Sequence, residues 1–170
     1  YACKKTPSWL LSADGIMFPD ESFANTAAEL SNAQTKAIPT PYDPDDFVDF
    51  PKYNIRDKFI IVHSGSFHRY NDPRALIKIF SFLPDDILAR TELHLQGAID
   101  VKVKNQLKFY PYIKFLPNVA HREALITQSQ ADLNLVFITV HTKKGGNQII
   151  PGKVFDYIGS SRPILALGPK

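Results

Sequence analysis

Lys153 and Asp156 lie three residues apart in KVFDYIG, directly after Pro151-Gly152, and the stretch runs on through Gly159-Ser160-Ser161 to the apolar PILAL. On a helix that spacing brings an ammonium and a carboxylate onto one face. Gly145-Gly146 and the polar pair Asn147-Gln148 come just before, so a glycine turn feeds a helix start. Backbone N–H groups there, from Gly146 to Ile149, attract anions, while a carboxylate can accept hydrogen bonds from a diol. The combination suits a phosphorylated, ribose-containing ligand. The plainer reading is an exposed Lys153–Asp156 ion pair, which stabilises little.

Two other segments carry related chemistry. In SGSFHRYNDPR, Gly65 lets the backbone approach a ligand with Ser66 beside it, and Arg69 and Arg74 can hold phosphate oxygens in a fork. In PNVAH, Asn118 and His121 can meet a base or a ribose. The five histidines lack metal-ligand spacing, and His63 and His94 fall on strand-like runs where packing is the simpler role. Asp43-Pro44-Asp45-Asp46 offers an Asp-x-Asp spacing, but in a proline-rich passage where capping a turn is the simpler use. SGSFH lacks the second glycine of a hydrolase nucleophile elbow.

These residues need elements to hold them, and from Lys58 the pattern becomes regular. FIIVHSG predicts a buried strand, NDPRALIKIFSFL a helix entered through Asp72-Pro73, ELHLQG a strand ended by Gly97, and VKVKNQLKF a weak helix. YIKFLP, HREALITQSQ and ADLNLVFI continue the alternation as strand, helix and buried strand. The KVFDYIG helix and PILAL complete it. Apolar strands alternating with amphipathic helices predict an α/β fold, a Rossmann-like parallel sheet with helices on both faces. In such sheets ligands bind beyond the carboxyl ends of the strands, where the loops named above lie.

Residues 1–50 read differently. Gly15 to Phe18 predicts a short strand and Glu21 to Leu30 a helix, with too few apolar positions for a core of their own. IPTPYDPDDFVDFP then reads as a linker, since its prolines exclude a regular helix or a central strand. The expected division is therefore a tail of another domain plus linker over 1–50, and a Rossmann-like domain over 51–170.

Composition narrows the classes. The chain has 170 residues, enough to bury roughly 70% of its unfolded surface, and its 44% apolar and 22% charged content is that of a globular protein. A net charge of +3 spread along the chain calls for no nucleic-acid partner. The lone Cys3 forms no internal disulfide, and YACKKTPSW lacks an apolar signal core, so a cytoplasmic setting is the expectation.

SGSF after the first strand, FLPNVAHREAL, ADLNLVFI and above all KVFDYIGSSRPILAL resemble the C-terminal domain of GT-B fold glycosyltransferases, in particular the large retaining family 4. The resemblance spans about residues 36–170. ADGIMFPDESFANTAAEL and IPTPYDPDDF resemble the end of that family's N-terminal domain and its crossing segment, which implies a piece of a longer protein.

The resemblance implies a nucleoside-diphosphate sugar as donor and no cofactor or metal. It places Gly65 near the pyrophosphate and makes Arg69 and Arg74 its cationic contacts, and Lys153 could add to the charge that stabilises the departing phosphate. Of the family's two glutamates, the one that binds the ribose corresponds to Asp156 and the one near the donor sugar to Gln148, so the catalytic group is unassigned. The acceptor, be it glycan, lipid or small molecule, would bind through the missing N-terminal domain, and peripheral membrane association of the longer protein is open. Two other readings stand beside this one: a nucleotide-sugar epimerase or hydrolase of the same fold, and a noncatalytic α/β interaction domain.

Overall fold

The computed structural model describes residues 8–67, 73–138 and 151–168, apart from the side chains of Trp9 and Leu10. The chain forms two compact units, Tyr1–Pro41 and Tyr42–Lys170. The first contains α1 (Ser8–Ser12), β1 (Gly15–Phe18), α2 (Glu21–Leu30) and β2 (Gln34–Ala37), with β1 and β2 paired in parallel. Asp20 caps α2, its carboxylate accepting from Ser22 N–H at 2.7 Å and from Phe23 N–H at 3.2 Å. Ala24 and Ala27 are the buried positions of the helix.

The second unit opens with a 3-10 turn, Pro44–Phe47, capped by Asp43, whose side chain accepts from Asp45 N–H at 3.0 Å. The Asp-Pro-Asp-Asp run is thus capping chemistry. A parallel sheet follows, built from β3 (Phe59–Ser64), β4 (Thr91–Gln96), β5 (Ile113–Leu116), β6 (Leu133–Phe137) and β7 (Ile164–Leu167) in the order β5-β4-β3-β6-β7. The helices are α3 (Pro73–Phe80), α4 (Asp85–Ala89), α5 (Val101–Leu107), α6 (His121–Ser129) and α7 (Lys153–Gly159).

Side chains alternating across the strands fill both faces. Leu93 and Leu95 of β4 join Leu76 and Phe80 of α3, Val103 and Leu107 of α5, and Phe67 in the larger core. Ile60 and Val62 of β3 cluster with Ala131 on the opposite face. Burial at about 25 cal/mol per Å² of apolar surface dominates here, because FIIVHS and TELHLQ expose little on either side.

The strand order reverses between β3 and β6. Chain order runs outward from β3 through β4 to β5 on one side and from β6 to β7 on the other, so the switch point lies between β3 and β6. Their pairing is short, with only Ile61↔Leu133 and Val62↔Asn134 in register, whereas β3 and β4 pair over six positions. The two central strands therefore part toward their carboxyl ends. At the outer edge, β7 pairs with β6 and leaves Ile164, Leu165 and Ala166 exposed.

Candidate functional site

A cavity of about 320 Å³ opens beyond the carboxyl ends of β3 and β4, under α6 and α7. Its lining comes from the carboxyl ends of the strands and from two helix starts: Ser64-Gly65, Gln96-Gly97, Asn118-Val119, His121 and Ala124 of α6, and Lys153 and Asp156 of α7.

Two glycines make the cavity. Gly65 (φ 111°) and Gly97 (φ 121°) both have backbones that side-chain-bearing residues rarely adopt. A Cβ on Gly97 would stand 2.7 Å from the Gly65 carbonyl oxygen, so the loops after β3 and β4 touch backbone to backbone. A Cβ on Gly65 would stand 2.9 Å from Lys153 Nζ. The lysine ammonium therefore occupies the space that the missing side chain leaves, directly above the loop.

Burial lowers the Lys153 pKa, since its charge has lost water without gaining a carboxylate. Asp156 pairs with His121 rather than with Lys153, its Oδ2 lying 3.6 Å from Nε2. The ion pair that sequence spacing allowed between Lys153 and Asp156 does not form, which leaves the cation directed at the cavity. Gln96 on the floor is fixed by donating from Nε2 to Thr127 Oγ1 at 3.2 Å.

Beneath the cavity His63 is buried, its ring edge-on to Phe67 and Phe137. Its Nδ1–H donates to the Leu135 carbonyl at 2.9 Å, which fixes the tautomer and leaves Nε2 without a partner. Burial, reinforced by the Lys153 charge, pulls its pKa down to about 4, so at neutral pH it is an uncharged packing group. Tyr157 is buried too, and its hydroxyl accepts from Ser64 N–H at 2.9 Å.

Of the residues singled out from sequence, Gly65, Asn118, His121, Lys153 and Asp156 come together around this cavity. Ser66 is exposed and Ser64 lines the wall instead. Arg74 is exposed on the first turn of α3 and is not among the lining residues. Arg69, Gly146, Asn147, Gln148 and Ile149 lie outside the described residues. Sequence reasoning gave no site role to Gln96 or Tyr157, whose parts depend on contacts across the sheet. For Gly97 the signal was present, a glycine directly after an apolar strand. Among the described residues no group of three or more His, Cys, Asp or Glu comes together to hold a metal ion, and no helix is long and apolar enough to cross a membrane.

Solved structures share this fold. Sucrose-phosphate synthase from Thermosynechococcus elongatus superposes with a TM-score of 0.65 at 16% identity, over 94% of this chain and 42% of that one. WaaG, a glycosyltransferase involved in lipopolysaccharide biosynthesis, gives 0.64 at 15% identity, over 88% of this chain and 43% of its own. The fold is that of the C-terminal half of a GT-B glycosyltransferase. S. aureus TarM, solved in complex with UDP, matches with a TM-score of 0.61 at 12% identity, over 90% of this chain and 29% of TarM. The chain thus spans less than half the length of each of these structures. No protein-family model matches it, and no curated protein matches it significantly.

Proposed function

We propose that the unit Tyr42–Lys170 binds a nucleoside-diphosphate sugar and is the donor-binding half of a metal-independent glycosyltransferase. The observation that carries this reading is the placement of a half-buried, carboxylate-free ammonium, Lys153, against the Gly65 backbone at the switch point, with Asp156 one helical turn away on the same wall. An ammonium so placed suits a diphosphate, whose charge would repay the lysine's lost hydration. Asp156 and His121 suit a ribose diol. The fold shared with glycosyltransferases, and the UDP held by TarM, support a nucleotide donor.

In such a transfer the glycosidic bond to the diphosphate breaks through an oxocarbenium-like transition state, and negative charge builds on the departing phosphate. Lys153 would stabilise that charge, with Arg69 and Arg74 as further cationic contacts and Gly146 to Ile149 as backbone donors. The sugar would face Gln148, and an acceptor would be supplied by an N-terminal domain. The reaction would run in the cytoplasm.

A thermal-shift screen of UDP, GDP, ADP and their sugar conjugates tests this reading. Wild type should gain several degrees with at least one diphosphate at concentrations well above Kd, and Asp156→Ala should lose most of that gain. The 2′-deoxy nucleotide should behave toward wild type as the ribonucleotide does toward the variant. Identical shifts in both proteins would remove Asp156 from the site, and no shift with any nucleotide would sink the donor reading.

A further inference from the structure

We infer that the Tyr157 hydroxyl is the positioning group that anchors α7 to β3 and β6 and so keeps Lys153 and Asp156 over the proposed donor cleft. The inference rests on the donor-binding reading and adds to it a residue that does not line the cavity.

The ladder between β3 and β6 stops early. In parallel register each N–H of one strand reaches a carbonyl of the other at alternate residues. With Ile61↔Leu133 and Val62↔Asn134 paired, the next rung would take Ser64 N–H to the Leu135 carbonyl. That rung is absent. The Tyr157 hydroxyl stands between its two ends instead, accepting from Ser64 N–H at 2.9 Å and donating to the Leu135 carbonyl at 3.3 Å. The Leu135 carbonyl also takes the His63 Nδ1–H. One side-chain oxygen thus replaces a backbone rung, satisfies groups that burial would otherwise leave orphaned, and keeps the strands apart by its own width.

The same tyrosine fixes the helix above. Tyr157 is one residue after Asp156 and four after Lys153 in α7, so its anchored side chain sets the depth and rotation of the turn that presents both. The far end of α7 is held as well. The Tyr157 carbonyl accepts from Ser160 Oγ at 2.7 Å, and Ser160 Oγ accepts from Asn134 Nδ2 at 3.0 Å. All three side chains are buried. Lys153 has no carboxylate to hold it, so its seat over Gly65 depends on where α7 sits.

The test compares Tyr157→Phe with Leu107→Ala in the whole chain, reading UDP affinity by calorimetry and stability by thermal melting. Leu107 is buried in the larger core and does not line the cavity, so its truncation should destabilise the protein at least as much while leaving affinity unchanged. Tyr157→Phe should bind UDP about tenfold more weakly while still folded, because losing the bridge lets α7 shift and carries Lys153 and Asp156 off the cleft. Equal affinity in folded Tyr157→Phe and wild type would overturn the inference and leave the donor reading intact. No UDP binding by wild type would overturn both. Should Tyr157→Phe not fold, 3,5-difluorotyrosine at position 157 keeps the ring and hydroxyl but makes the oxygen a poorer acceptor. A loss of about threefold in affinity is then expected, and no loss overturns the inference.

Discussion

The two ends of the five-stranded sheet use charge in opposite ways. At the carboxyl ends, Lys153 is half-buried beside glycine backbone and lacks a carboxylate, and His63 carries an unpartnered Nε2. At the amino ends a larger groove, about 460 Å³, is lined by Tyr53, Arg56, Lys58, Arg90 and Asp132. There the polar groups mostly bond within the chain. Tyr53 donates to Asp132, which also accepts from Ile60 N–H at 2.6 Å, and Arg56 donates to the Gln130 carbonyl. Lys58 donates to the Ala89 carbonyl at 2.6 Å, and Arg162 stacks on the Tyr53 ring 3.7 Å away. Cavity size does not separate a binding site from a structural seam. What separates them is whether the polar groups have already found their partners.

If that contrast holds, the largest effect should come from the glycine that joins the upper loops. Gly97→Ala places a Cβ against Gly65 backbone, which cannot swing aside, in a left-handed conformation as well. It should cost about 3 kcal/mol by denaturant melts and abolish nucleotide shifts. A near-neutral result would show that the loops are not locked together.

Next comes acid sensitivity seated at the upper end. His63 has a folded pKa of about 4 against an ordinary 6.5, so its contribution to stability is present above pH 6.5 and lost as pH falls toward 4. Over that window wild type should lose roughly 3 kcal/mol more than His63→Gln. Parallel curves for the two proteins would mean that the ring is not held neutral.

Lys153→Ala should weaken UDP binding roughly 30-fold, whereas Arg90→Ala at the lower groove should leave it unchanged. Because burial lowers the Lys153 pKa and a bound diphosphate would raise it, affinity should also fall as pH rises through the free protein's lowered value. The smallest effect belongs to the lower end. Lys58→Ala removes one exposed hydrogen bond to a carbonyl and should cost about 0.5 kcal/mol.

What could be read in advance follows the same division between local and distant causes. FIIVHS, TELHLQ and LNLVF carry their strand character in β-branched and apolar runs, and all three form buried strands. Gln34–Ala37 also forms a strand, but QTKA offers no apolar face and gives no period to detect. The helix Asp85–Ala89 escaped for a similar reason, being five residues between a proline and the next strand. At the site, Lys153, Asp156, Asn118 and Gly65 were visible because glycine, charge and helix start are local signals. Tyr157 was not, since nothing in KVFDYIG distinguishes a core tyrosine from one that replaces a sheet rung 93 residues away in sequence. Phe47 lies where a Cβ on Gly159 would fall, and Arg122 donates to the Val48 carbonyl at 3.1 Å, so residues that read as linker are packed against α6 and α7.

The β7 edge has a bearing on how this polypeptide behaves in a tube. Ile164, Leu165 and Ala166 present an exposed apolar strand at the edge of the sheet, and among the described residues no strand pairs with its outer side. Such an edge templates its own kind, so the 170-residue chain should self-associate with rising concentration and salt. Leu165→Lys would serve as a gatekeeper, giving a monodisperse sample for the binding measurements while leaving the distant Lys153 seat untouched.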